Sequence, residues 1–181
     1  MASPQVGPMV PRPWSVPAIA AVAVCAGAAA KFGTSLFTVV CMVVAIPVTV
    51  AAWTDLRTKT LPLPLAAIAI TGAVVGTVIA GVVDPGSSVR GLLAGVAAFL
   101  VLSLVGALTQ VYAFGDVLLV TPLAILLGYQ GWEFLGRAAV FVPVVALPAA
   151  LIAIVRARSW KASAPLGPWL LVSAVIALAT V

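Results

Sequence analysis

The chain has 181 residues, of which 9 are Lys or Arg, 4 are Asp or Glu and none is His. Hydrophobic residues make up 64% and mean hydropathy is +1.30, whereas an ordinary globular domain is about a quarter charged, so a water-facing soluble fold is excluded. Without His there is no Ser-His-Asp triad, no Cys-His pair and no His-ligated metal, and two cysteines cannot build a four-thiolate site.

The charges leave seven long charge-free stretches, at residues 13–30, 32–54, 60–83, 91–115, 117–132, 138–155 and 162–181. A bilayer-spanning helix needs about 20 apolar residues. The expected fold is therefore an all-α polytopic integral membrane protein with about seven transmembrane helices. In chain order they are predicted over 14–30, 34–53, 61–83, 91–110, 116–129, 138–155 and 165–181, as one transmembrane domain covering 14–181. Residues 1–13, MASPQVGPMVPRP, are rich in Pro and small residues and are expected to form a disordered cytoplasmic lead. The segment from Trp14 to Ala30 reads as a first membrane helix with Trp14 at the interface. Its AGAAA ending also fits a signal-peptide cleavage site, which would leave six helices and reverse the sides.

Cys25 and Cys41 fall inside apolar stretches and are expected to be small buried hydrophobes. Gly72 and Gly76, and likewise Gly91 and Gly95, form G-x-x-x-G pairs that let helices pack closely in lipid. Pro47, Pro122, Pro143 and Pro148 lie within spans, where kinks are expected. With the N-terminus inside and seven crossings, the inside segments hold Arg12, Arg57, Lys59, Arg156, Arg158 and Lys161, and the outside segments hold Lys31, Arg90 and Arg137. This imbalance puts the N-terminus in the cytoplasm and the C-terminus outside. The net charge of +5 follows from that topology, and no basic run interleaved with aromatics points to nucleic acid. The loop Arg156-Ala157-Arg158-Ser159-Trp160-Lys161 reads as an interfacial anchor, or as a contact for anionic lipid or substrate.

The four carboxylates sort by face. Asp84 and Glu133 fall outside, where Asp84 begins a turn-like Asp84-Pro85-Gly86-Ser87-Ser88 and Glu133 precedes Arg137 by four residues, the order of a helix-surface ion pair. Asp55 and Asp116 fall at cytoplasmic helix ends. Asp55 can be read as part of an interfacial charge cluster with Arg57 and Lys59. Asp116 has no basic residue within fifteen positions on either side, so it reads either as an N-cap or as a functional ionisable group at a membrane helix end. Gly115 before it lets the backbone bend or another chain come close. Two carboxylates at one site share a proton, and the ionised one can activate water while the protonated one polarises a carbonyl. That chemistry needs no His, Ser, Cys, metal or cofactor.

Three segments resemble type IV prepilin peptidases. Asp55-Leu56-Arg57-Thr58-Lys59-Thr60-Leu61-Pro62 looks like their first aspartate motif. Ala113-Phe114-Gly115-Asp116-Val117 resembles their G-x-G-D motif, followed by Leu127-Gly128-Tyr129-Gln130-Gly131-Trp132 like the loop beyond it. Ala164-Pro165-Leu166-Gly167-Pro168-Trp169-Leu170 looks like the P-F-G-P-F-L segment that opens their last helix. The resemblance runs over roughly 36–181 in the right order. It implies an aspartic endopeptidase of the cytoplasmic (inner) membrane that cleaves the basic leader from prepilin-like proteins of type IV pilus systems, next to the substrate's hydrophobic helix. Asp55 and Asp116 would be its catalytic pair and Gly115 an active-site support. The cysteine-bearing insert of the methylating members has no counterpart here, so the chain resembles the short form. Ala113 stands in place of the first Gly of G-x-G-D, Leu118 where Lys commonly follows, and Leu63 where Asn often follows the Pro. The alternatives are a catalytically impaired homologue or a non-enzymatic membrane protein such as a small transporter or assembly subunit, since isolated membrane carboxylates also serve ion relays.

Overall fold

A computed structural model describes residues 15–33, 35–58, 61–109, 114–157 and 167–179. The expected lead at 1–13 and most of the basic loop, from Arg158 to Lys161, lie outside them. The described residues form seven helices and no strand: α1 Ser15–Phe32, α2 Leu36–Thr58, α3 Leu63–Ala80, α4 Pro85–Thr109, α5 Phe114–Gln130, α6 Trp132–Ala157 and α7 Gly167–Ala179. Among the described residues, α2 over Leu36–Asp55, α3 over Leu63–Ala80 and α4 over Pro85–Leu108 are long and apolar enough to cross a membrane.

The sides of these helices explain their arrangement. On α3 the buried positions are Ala66, Ala69, Ala73, Thr77 and Ala80, spaced three or four apart, while Ile68, Val75 and Ile79 point outward and are about half exposed. Small residues inside and large aliphatic ones outside is the arrangement of a helix whose solvent is hydrocarbon, where association depends on close backbone approach. The outer side of α4 repeats it, with Leu93, Val96, Leu100 and Leu104 each more than half exposed.

Helices α2 and α3, and likewise α4 and α5, run antiparallel, as their glycine contacts show. Gly76 faces Val40 and Gly72 faces Val43, which fixes α3 against α2. Gly91 faces Tyr129 and the Ile125 carbonyl, Gly95 faces Ile125, and Gly128 faces Ala94, which fixes α4 against α5. Both G-x-x-x-G pairs are thus packing seams. The core gathers Val40, Val44 and Val48 of α2, Ala69 and Ala73 of α3, Leu119, Ile125 and Leu126 of α5 and Leu170 of α7. Cys41 is buried in this core and Cys25 is partly exposed, and both are free thiols. Pro47, Pro122, Pro143 and Pro148 all lie inside helices that continue past them.

Three boundaries differ by about five or six residues from the sequence expectation, where charged residues sit at or inside helix ends rather than between helices. The turn expected at Asp84–Ser88 lies earlier, at 81–83. Asp84 caps α4 by accepting the Ser87 backbone N–H at 3.1 Å, with Pro85 as the first helical residue, where its missing N–H costs nothing. Helix α6 begins at Trp132 rather than near 138. There the Arg137 guanidinium lies over the Phe134 ring, and the Glu133 carboxylate folds back toward Gly131. Helix α2 continues to Thr58, so Asp55 lies within its last turn.

One end of the bundle is stitched together. Arg90 donates from Nε to the Gly128 carbonyl at 2.9 Å and from Nη2 to the Tyr129 carbonyl at 2.8 Å, so it closes the C-terminus of α5 from α4. Phe37 of α2 stacks on Tyr129 with ring centres 5.0 Å apart, Lys31 of α1 donates to the Leu178 carbonyl of α7, and the Ser88 hydroxyl donates to the Thr77 carbonyl at 2.8 Å.

A methyl group at Gly128 would stand 2.3 Å from the Ala94 Cβ, whereas one at Gly136 would meet nothing within 4 Å. Gly128→Ala should therefore cost about 1–3 kcal/mol in detergent unfolding, and Gly136→Ala should cost no stability. The Ser87 hydroxyl and backbone N–H hold the Asp84 carboxyl below the usual carboxylate range. Because the folded value is the lower one, the cap is fully present above about pH 3.9 and is lost as pH falls through the lowered value. Amide exchange in the first turn of α4 should accelerate only in acid for the native chain and at every pH for Asp84→Ala.

Candidate functional site

The other end of the bundle holds the C-terminus of α2, the link to α3 and the N-terminus of α5. Helix α2 reaches it through side chains that bond back to their own helix: Thr54 to the Val50 carbonyl at 2.8 Å and Thr58 to the Thr54 carbonyl at 2.9 Å. Such back-bonding spares polar groups an unpaired position in an apolar helix. Arg57 is exposed, and its guanidinium lies 4.8 Å from the centre of the Trp53 ring one turn back. Asp55 stands between them in sequence and is partly buried.

The link ends at Pro62, whose extended backbone (φ −71°, ψ 106°) precedes α3. Leu61 just before it is the surface on which α5 docks. A methyl group at Gly115 would lie 3.1 Å from the Leu61 Cβ, so the absent side chain lets the first turn of α5 settle on the link. Gly115 is not among the glycines with positive φ. Its role here is close approach, not a bend. Asp116, next in the chain, is the third residue of α5 and partly buried. It thus lies inside the first turn and is not the N-cap.

Asp55 and Asp116 accordingly share one end of the bundle, on different helices, with the Leu61–Gly115 contact joining the two elements. Asp84 and Glu133 lie at the opposite end, on the starts of α4 and α6. The backbone treats the two site carboxylates differently. A negative charge in the first turn of a helix is favoured by its dipole and one in the last turn is opposed, so Asp116 and Asp55 sit at unlike poles. No group of three His, Cys, Asp or Glu that could hold a metal ion exists among the described residues.

Two features of this end escape sequence reasoning. The indole Nε1 atoms of Trp53 on α2 and Trp169 in the first turn of α7 are buried and have no hydrogen-bond partner. Buried indole N–H groups usually find an acceptor, so each is an unmet donor among the described residues. A Trp near a helix end was legible as an interfacial residue, but the missing acceptor is a property of packing.

No protein-family model matches the chain, and no curated protein or solved structure matches it.

The Trp53 donor and the Gly115 contact give opposite expectations. Trp53→Phe loses part of a ring but also an unmet donor, a burden of about 1–3 kcal/mol, so the two should nearly cancel in thermal unfolding. Gly115→Val forces methyl groups onto Leu61 and should cost about 1–3 kcal/mol. A large loss for Trp53→Phe would mean that its N–H is already bonded.

Proposed function

We propose that this chain is a membrane-embedded aspartic endopeptidase that removes the basic leader from prepilin-like proteins, with Asp55 and Asp116 as its catalytic pair. The observation that carries the reading is the meeting of two helix ends: the last turn of α2, with Asp55, and the first turn of α5, with Asp116, joined where Gly115 packs on Leu61. Each carboxylate sits in a segment that resembles an aspartate motif of the prepilin peptidases. All seven helices cross the inner membrane in this reading. The N-terminus and both aspartates lie on the cytoplasmic side, where the substrate's leader is also found.

The chemistry is general acid–base hydrolysis. Within the pair, the ionised carboxylate takes a proton from water and the protonated one polarises the scissile carbonyl. Water oxygen bonds to the carbonyl carbon and gives a tetrahedral intermediate. The C–N bond then breaks, the amine leaves with a proton from the pair, and the new carboxyl end departs. The unpartnered indole donors of Trp53 and Trp169 are suited to holding carbonyls of an extended substrate backbone.

The test is co-expression with a prepilin-like substrate, read by mass spectrometry of the substrate's N-terminus. Wild type should release the leader without methylating the new end. Asp55→Asn and Asp116→Asn should each lower cleavage by about 10²–10⁴-fold while leaving the protein folded. Leader release that survives in both variants refutes the mechanism.

A further inference from the structure

A cavity of about 390 Å³ lies between α1, α2, α5 and α7, away from the aspartates. Its origin is legible in the residues. From α1, the small residues Ala23, Gly27 and Ala28 line it beside Val24 and Phe32, opposite Val44 of α2 and Leu123 and Leu126 of α5. A methyl group placed on Gly27 would meet nothing within 4 Å. The walls are almost wholly apolar. A dry apolar cavity does not hold water, and the fluid around this bundle is hydrocarbon.

One charged side chain stands in the lining: Lys31, in the last turn of α1. It donates to the Leu178 carbonyl at the end of α7 and lies beside the Phe32 ring. An ammonium has three N–H donors, and among the described residues Lys31 meets no carboxylate. Among the described residues it is therefore a cation without an anion, at the end of the bundle, where an apolar cavity begins.

We propose that this cavity binds one acyl chain of an anionic phospholipid, with the headgroup phosphate held by Lys31. The chain fills the space that the small residues of α1 leave open, and the net negative headgroup answers the unmatched ammonium. The bound lipid adds to the contacts that Ala28 and Phe32 of α1 and Leu170 and Leu171 of α7 already make with the core. The proposal does not depend on the peptidase reading.

The experiment uses the full chain, stripped of lipid in detergent, and native mass spectrometry with phosphatidylglycerol and phosphatidylcholine of equal chain length. Wild type should retain one phosphatidylglycerol with a preference of about fivefold, the size expected of one lysine at a membrane surface. Lys31→Gln, at an exposed position, should keep lipid binding but lose the preference. Gly27→Leu, which has room for its side chain, should narrow the cavity and weaken retention of lipid of either kind. Equal retention of the two lipids by wild type, or unchanged retention by Gly27→Leu, overturns the proposal. So does cross-linking of a substrate's hydrophobic helix from Gly27→Cys that added phosphatidylglycerol does not reduce.

Discussion

Gly128 of α5 faces Ala94 of α4 with no room for a methyl group between them, and Gly91 and Gly95 present bare backbone to Ile125 and Tyr129 from the other side. In hydrocarbon there is no hydrophobic force to press helices together, so contact has to come from this kind of backbone proximity. The seam matters beyond its two helices because α5 is the hub of the bundle: it packs on α3, α4, α6 and α7. Val117, Leu119 and the run from Thr121 to Gly128, apart from partly buried Leu123, are buried along its length. A helix so enclosed has little freedom to rotate or slide, and Asp116 is carried on its first turn.

The two ends of the bundle are built to different rules. At one, polar side chains tie helices to one another or cap them: Arg90 closes the carbonyls of α5, Lys31 reaches across to α7, Asp84 caps α4, and Ser88 bonds to Thr77. At the other, buried indole donors are left without acceptors beside two carboxylate-bearing helix ends. Polar groups unmet in an apolar surrounding are destabilising.

Much of this was readable in the residues, and the failures have a common cause. The number and order of helices among the described residues followed from the charge-free stretches, three of which form helices long and apolar enough to cross a membrane. The same reasoning equated each charge with a loop, and so it misplaced the starts of α4 and α6 and the end of α2. Asp84, Glu133 and Asp55 are placed where helix termini tolerate or use a charge. The glycine pairs were legible as seams, but not which helix each would meet. Helix parity alone put Asp55 and Asp116 at one end. The Leu61–Gly115 contact and the unmet Trp53 and Trp169 donors depend on where side chains from distant segments fall, which no local pattern encodes.

The clasp of Arg90 on Gly128 and Tyr129 sets the position of one terminus of α5. A helix of 17 residues is a rod about 25 Å long that scarcely stretches. Fixing its far tip therefore meters the depth at which its near tip arrives. In that sense α5 is a ruler: the guanidinium sets its zero mark, and Asp116 is read off at the other end of the scale.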